Sequence, residues 1–235
     1  MKKRVKQILI IFLIILSGII YYQLTEINNY DIQTITVSQV VDGDTIKDTN
    51  GNTYRLLGIN TPEKQEPYYQ EAKDYLKNLI EGKQVDIENH GKDKYSRTLA
   101  YIYFNNELVN QKQLFIGYAN LYYYGTDEKY EKMKNAEQQA RENNLGLWKK
   151  SNSFGCIKLV SLKYNDNDND INQEQMILEN SCKTISIIIK DDANHIYDET
   201  LQKGTWSKNF SHIWNDEGDT LMIRDKEGLI LFYRY

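Results

Sequence analysis

Asp42-Gly43-Asp44-Thr45, Arg55, Asn60-Thr61-Pro62-Glu63 and Arg97 are the residues of this 235-residue chain whose types could carry chemistry together. Asp42 and Asp44 offer hard oxygen ligands, which suit Ca²⁺. An arginine binds phosphate through two parallel N–H donors. Glu63 is a carboxylate that could take a proton from a water. Plainer uses fit the same residue types. Asp and Gly favour turns, Thr-Pro-Glu commonly opens a helix, and a Glu there is favoured by the helix dipole. Taken alone, Arg55 could be a strand surface residue and Arg97 a solvated loop charge.

The elements that must position these residues can be read from periodicity. Thr45–Lys47 and Tyr54–Gly58 are strand-like and flank Asp48-Thr49-Asn50-Gly51-Asn52, where Asn-Gly is a strong hairpin signal. The β-branched run Thr34–Val41 is a preceding strand. Tyr68, Ala72, Tyr75, Leu76, Leu79 and Ile80 fall at helical spacing, and Gly82 ends that helix. Gln84–Glu88 is a short strand, His90–Arg97 a polar loop and Thr98–Phe104 an alternating strand. Leu108–Tyr118 fits a short helix. Asp127–Asn144 fits a longer one, with Tyr130, Met133, Ala136 and Ala140 on one stripe. Five strands with a helix between the third and fourth match a five-stranded Greek-key barrel of the OB class, with three helices.

Residues 35–150 resemble the thermonuclease (staphylococcal-nuclease-like) family. The carriers are Val41-Asp42-Gly43-Asp44-Thr45, Tyr54 to Glu63, Asp93-Lys94-Tyr95-Ser96-Arg97, Leu99-Ala100-Tyr101-Ile102-Tyr103 and Gly146-Leu147-Trp148. The resemblance implies a Ca²⁺-dependent phosphodiesterase acting on DNA and RNA. It makes Asp44 a Ca²⁺ ligand, Thr61 a ligand through its main-chain carbonyl, and Asp42 an acidic neighbour in the outer shell. Arg55 and Arg97 become the phosphate-binding arginines and Glu63 the general base. Lys94, Tyr95 and Tyr123 become nucleotide contacts. One departure stands out. Asn60 occupies the place of a second Asp ligand, and its amide oxygen brings no charge. Gly125 falls where a second contacting tyrosine is usual, with Tyr124 beside it.

Composition narrows the partners. Lys and Arg total 29 against 33 Asp and Glu, and residues 151–235 carry 9 basic and 14 acidic groups. Without a broadly basic face, contact with a polyanion must rest on a local cluster. Lys2, Lys3, Arg4 and Lys6 precede an apolar stretch from Ile8 to Ile20 closed by Tyr21 and Tyr22. That is the pattern of a signal peptide or an uncleaved signal anchor over residues 1–22, with the rest of the chain outside the cytoplasm. Residues 23–33 read as a linker, 34–150 as the barrel domain and 151–235 as a second domain.

The second domain shows short β-type runs: Ile157–Tyr164, Gln175–Glu179, Thr184–Lys190, Thr220–Asp225 and Leu229–Tyr235. Separated by turn signals, they predict a small immunoglobulin-like β-sandwich. Met176–Asn180, Trp214–Leu221 and Arg224–Gly228 resemble the lamin-tail family, which implies binding or tethering to an unknown partner. Asp166-Asn167-Asp168-Asn169-Asp170 begins like a calcium loop, but Ile171 stands where Gly is needed. Cys156 and Cys182 could pair outside the cytoplasm or stay as free thiols. His90, His195 and His212 are scattered and form no metal-binding pattern.

Three functions follow as expectations. One is an exported, membrane-tethered Ca²⁺-dependent nuclease. Another is a non-catalytic nucleic-acid-binding barrel tethered at the cell envelope. The third is an envelope adaptor whose function lies in the sandwich, with a vestigial barrel. Arg55, Glu63 and Arg97 favour the first, because a pure binder has no need of the Glu.

Overall fold

β1 (Ile32–Val40), β2 (Thr45–Asp48) and β3 (Thr53–Leu56) form an antiparallel meander whose inward residues Val37, Val40, Ile46, Tyr54 and Leu56 are buried. The computed structural model describes residues 13, 15–18, 32–122, 128–164, 174–193, 195–210, 213–215 and 218–235. Two-residue β4 (Ile59–Asn60) is followed by helix α1 (Tyr69–Ile80), which buries Ala72, Leu76 and Ile80 at the spacing of one face. β5 (Gln84–Lys92) and β6 (Thr98–Phe104) complete the main strands.

The sheet order is β3-β2-β1-β5-β6, and β3 then pairs in parallel with β6 through Tyr54↔Thr98, Arg55↔Leu99 and Leu56↔Ala100. That pairing closes the five-stranded barrel expected from the sequence and removes its open edges. β7 (Glu107–Leu108) turns back on β6 through Asn105 and Asn106, both at positive φ. Helix α2 (Val109–Phe115) follows, and β8 (Asn120–Leu121) pairs with β4. Helix α3 (Glu128–Glu142) buries Met133, Ala136 and Ala140, the expected stripe, with Tyr130 half-buried.

Two stretches differ from their sequence reading. β5 continues to Lys92 rather than giving way to a loop at His90, because its register against β6 shifts between Asn89 and Lys92 and Gly91 takes φ 95°. α2 stops at Phe115, since Gly117 turns left-handed against the Gly146–Trp148 turn. A Cβ on Gly117 would lie 2.3 Å from the Leu145 carbonyl oxygen. The Gly-Leu-Trp segment therefore closes onto the barrel only with glycine there.

C-terminal to the barrel, β9 (Ile157–Lys163), β10 (Glu174–Asn180) and β13 (Gly204–Phe210) form one antiparallel sheet, ordered β13-β10-β9. β11 (Ile185–Lys190), β12 (Ile196–Leu201), β14 (Thr220–Arg224) and β15 (Leu229–Arg234) form another, ordered β12-β11-β14-β15. Met176 and Leu178 from the first share a core with Ile187, Ile189, Leu221 and Ile223 from the second. β12 and β13 were not anticipated. Both are edge strands that alternate with polar residues such as Asp198, Thr200, Ser207 and Lys208, so they lack an apolar run. The likeness to the lamin-tail family rests on sequence segments alone. Cys156 and Cys182 are joined in a disulfide that links the start of β9 to the turn after β10.

The C-terminal sheets dock on the barrel. Leu147 and Trp148 pack against Met222, Leu229 and Phe232, with the Trp148 and Phe232 rings edge to face at 5.2 Å. Arg234 forks onto the buried Glu137 of α3 at 2.5 and 2.9 Å, and Lys190 meets Glu66 at 2.6 Å. Arg224 donates to the Leu147 carbonyl. Of the apolar stretch at the N-terminus, Leu13 and residues 15–18 are helical and the rest lies outside the described residues. Among the described residues no helix is long and apolar enough to cross a membrane.

Candidate active site

Gly43 is the hinge of the site. A Cβ there would meet Thr61 Oγ1 and Ala72 Cβ at 2.8 Å, so only glycine lets the Thr61 loop lie against the Asp44 strand. The buried Asp44 carboxylate then becomes a hub. Its Oδ2 accepts from Thr61 N at 3.0 Å and Thr61 Oγ1 at 2.9 Å. Its Oδ1 accepts from Thr45 Oγ1 at 3.1 Å and meets Arg55 Nε at 3.1 Å. Gln113 fixes the turn from behind by donating to the Gly43 carbonyl at 2.7 Å.

Arg55 projects from β3 and is held on several sides. Nη1 donates to the carbonyls of Leu56 and Ile59 at 2.6 and 2.8 Å, and Nη2 to Asn60 Oδ1 at 3.0 Å. Asp44, Arg55, Asn60 and Thr61 are thus brought together as one hydrogen-bonded set. Asp42 joins it through Oδ1, which accepts from Asp44 N at 3.1 Å. Burial and the neighbouring Asp44 carboxylate push the Asp42 carboxyl up to about 6.

Arg97 reaches the same cavity from the loop between β5 and β6. Asp93 shapes that loop: Oδ1 accepts from Tyr95 N and Arg97 N at 2.9 and 3.0 Å, and Oδ2 accepts from Arg97 Nε at 2.7 Å. Burial pushes the Asp93 carboxyl up, but these N–H donors and the Arg97 charge outweigh it and hold it low. Arg55, Arg97, Lys94, Tyr95 and Asn60 line one cavity of about 640 Å³. Lys94 and Arg97 lie 5.1 and 5.5 Å from the Tyr95 ring, which is 69% exposed.

Glu63 is exposed beyond Pro62, and like Asp42, Asp44 and Thr61 it is not among the residues lining the cavity. Its main-chain N donates to Glu66 Oε2. Tyr123 lies outside the described residues. Tyr122, not singled out from sequence, lines the cavity and is 43% exposed.

The sequence also gave no sign that the C-terminal sheets reach this site. The connection between β11 and β12 does so. Asn60 Nδ2 donates to the carbonyls of Asp192 and Ala193 at 3.0 and 3.1 Å, and Asn120 Nδ2 to that of Asp192 at 3.3 Å. Ala193 and His195 line the cavity with Arg55 and Arg97. Asp191, His195 and Tyr122 were invisible as a group because more than 60 residues separate Tyr122 from the other two along the chain.

The donor set fits Ca²⁺ in kind. Asp44 and Asn60 supply oxygens that face one guanidinium, Thr61 adjoins them, and Asp42 adds a second acid. The set is poor in charge, and among the described residues no group of three His, Cys, Asp or Glu is placed to hold a metal.

The family described as "Staphylococcal nuclease homologue" matches residues 53–150. The thermonuclease of Staphylococcus hyicus is 34% identical over 134 residues, covering 52% of this chain and 79% of that protein. This chain belongs to the staphylococcal nuclease family. Two Bacillus subtilis relatives point the same way. Endonuclease YncB is 32% identical over 151 residues, covering 56% of this chain and 72% of that protein. The SPbeta prophage-derived endonuclease YokF is 35% identical over 144 residues, covering 53% and 49%. The family match ends at residue 150, before β9 begins, so the C-terminal sheets of this staphylococcal nuclease homologue lie outside it.

Proposed function

We propose that this staphylococcal nuclease homologue is a Ca²⁺-dependent nuclease that hydrolyses phosphodiester bonds of DNA, RNA or both. The observation that carries the reading is the convergence of Arg55 and Arg97 on one cavity beside the Asp44, Asn60 and Thr61 oxygens. Relatives named thermonuclease and endonuclease support it.

In this reading Arg55 and Arg97 donate to the non-bridging oxygens of the scissile phosphate. Charged N–H donors at that place meet the extra charge of the five-coordinate arrangement better than the ground state. Glu63 takes the proton of the attacking water as its oxygen bonds phosphorus, and the bond from phosphorus to the 5′ oxygen breaks, that oxygen taking a proton from solvent to leave a 5′-hydroxyl beside a 3′-phosphate. Lys94 and Tyr95 hold the neighbouring nucleotide, as does Tyr123. Asp44, Asn60 and Thr61, with Asp42 behind them, hold Ca²⁺, which when bound supplies positive charge to the same phosphate. Arg55 must exchange some of its bonds to Asp44 and Asn60 for phosphate.

The charge-poor donor set, with Asn60 in place of an acid, favours a second reading: a barrel that binds nucleic acid without cutting it. Purified protein incubated with single-stranded DNA and RNA, with Ca²⁺ or with chelator, separates the two. Metal-dependent fragments support the nuclease; retained binding without fragments supports the binder.

The same proposal places the protein outside the cytoplasm, tethered through residues 1–22 or released by cleavage there. The basic cluster before the apolar stretch and the Cys156–Cys182 disulfide support export. The C-terminal sheets in this reading serve as a binding or tethering unit whose partner lies elsewhere in the envelope. Protease protection of the barrel in intact cells would contradict the location.

A further inference from the structure

His195 belongs to the C-terminal sheets, yet its ring lines the cavity that holds Arg55 and Arg97. It does not hang there loosely. Asp191, whose side chain is only 1% exposed, accepts from His195 Nδ1 at 2.5 Å through Oδ2. Through Oδ1 the same carboxylate accepts from Ala193 N and His195 N, each at 3.0 Å. The loop is pinned to the barrel by the bonds from Asn60 and Asn120 to the Asp192 carbonyl. With Nδ1 engaged by Asp191, Nε2 is the ring nitrogen left to meet a ligand. The His195 side chain is 49% exposed, and its imidazolium form carries a second N–H, at Nε2.

The other groups in the cavity say what that ligand is. Arg55, Arg97 and Lys94 are cations suited to phosphate, and Tyr95 and Tyr122 are exposed rings on which unpaired bases can stack. A strand lying across them presents phosphate oxygens to both walls of the cavity. We propose that His195, oriented by Asp191, is a substrate-binding residue contributed by the C-terminal sheets, donating from Nε2 to a phosphate oxygen of single-stranded nucleic acid. The inference rests on the nuclease reading for the identity of the substrate, and it goes beyond it by making the cavity a composite of barrel and C-terminal sheets.

The test reads binding separately from cleavage. The full chain in detergent is titrated, in chelator, against a short fluorescent single-stranded deoxyoligonucleotide. His195→Ala weakens Kd about tenfold, the usual consequence of losing one charge-assisted hydrogen bond. His195→Lys, which restores a cationic donor, recovers most of that loss. The melting temperature falls by no more than a few degrees in either, because Asp191 Oδ1 keeps its bonds to main-chain N–H groups. A Kd for His195→Ala within about twofold of the unmutated chain overturns the inference. So does a loss in His195→Ala that tracks a fall in melting temperature and is not recovered by His195→Lys. Cleavage with Ca²⁺ is then measured on the unmutated chain. Binding without cleavage defeats the nuclease reading while leaving the His195 result standing. No binding by the unmutated chain defeats both.

Discussion

Asn60 Nδ2 donates to the main-chain carbonyl of Asp192 at 3.0 Å, across 132 residues of sequence, while its Oδ1 accepts from Arg55. An aspartate in that place has no N–H to donate and would set its charge against two carbonyl oxygens. The departure of Asn60 from the expected acid thus has a physical counterpart: the amide is what the C-terminal loop docks on.

Asn60→Asp therefore trades docking for charge. It forfeits two donated hydrogen bonds, at a cost of about 1–3 kcal/mol, and the metal-free melting temperature falls by roughly 2–4 °C for each kcal/mol. The added carboxylate strengthens Ca²⁺ binding, so the rise in melting temperature with Ca²⁺ is larger than in the unmutated protein. Thermal denaturation with and without Ca²⁺ measures both; an unchanged metal-free melting temperature contradicts the docking role.

The two arginines separate in their consequences. Arg55 is 12% exposed and bonds Asp44, two carbonyls and Asn60, whereas Arg97 is 30% exposed and rests on Asp93. Arg55→Lys lowers both turnover and stability, the latter by about 1.5–3 kcal/mol from lost charged hydrogen bonds. Arg97→Lys lowers turnover by about 100-fold or more with little change in stability. Kinetics paired with urea denaturation check this, and equal stability of the two variants refutes it.

Asp192 gives the protein a pH-dependent stability. Burial, and the Asp219 carboxylate beside it, push the Asp192 carboxyl up to about 8, above its unfolded value of 3.8. Between those values the folded state holds a proton that the unfolded chain releases, so stability falls as pH rises from about 4 to about 8 and then levels. Asp192→Asn flattens that slope and raises the melting temperature at alkaline pH by several degrees, with little effect near pH 4. A parallel pH profile for the two proteins counts against the assignment.

The disulfide spans 26 residues. A ring of that size stabilises by about 3 kcal/mol in the chain-entropy account. Replacing Cys156 and Cys182 by serine, or adding reductant, lowers the melting temperature of the C-terminal sheets; no change on reduction contradicts it.

The barrel was legible because its signals are local. β2 and β3 flank an Asn-Gly turn, and α1 and α3 bury residues at helical spacing. Arg55, Asn60 and Thr61 could be assembled from sequence because they lie a few residues apart beside one hairpin. Glu63 follows them in sequence and is exposed. Asp191 and His195 could not be placed, since nothing local ties a polar loop between two strands to the Arg55 hairpin more than 100 residues earlier. Edge strands β12 and β13 escaped for a related reason: pairing, not composition, makes them strands.

The central claim is that Arg55 and Arg97 serve one scissile phosphate in a metal-dependent hydrolysis. Turnover of single-stranded DNA and RNA by the purified protein, measured with Ca²⁺, with chelator, and for Arg97→Ala with Ca²⁺, tests it most directly. The account predicts rapid cleavage in the first case and loss by orders of magnitude in the other two. Cleavage that persists undiminished in chelator or in Arg97→Ala, or no cleavage at all with Ca²⁺, would contradict it.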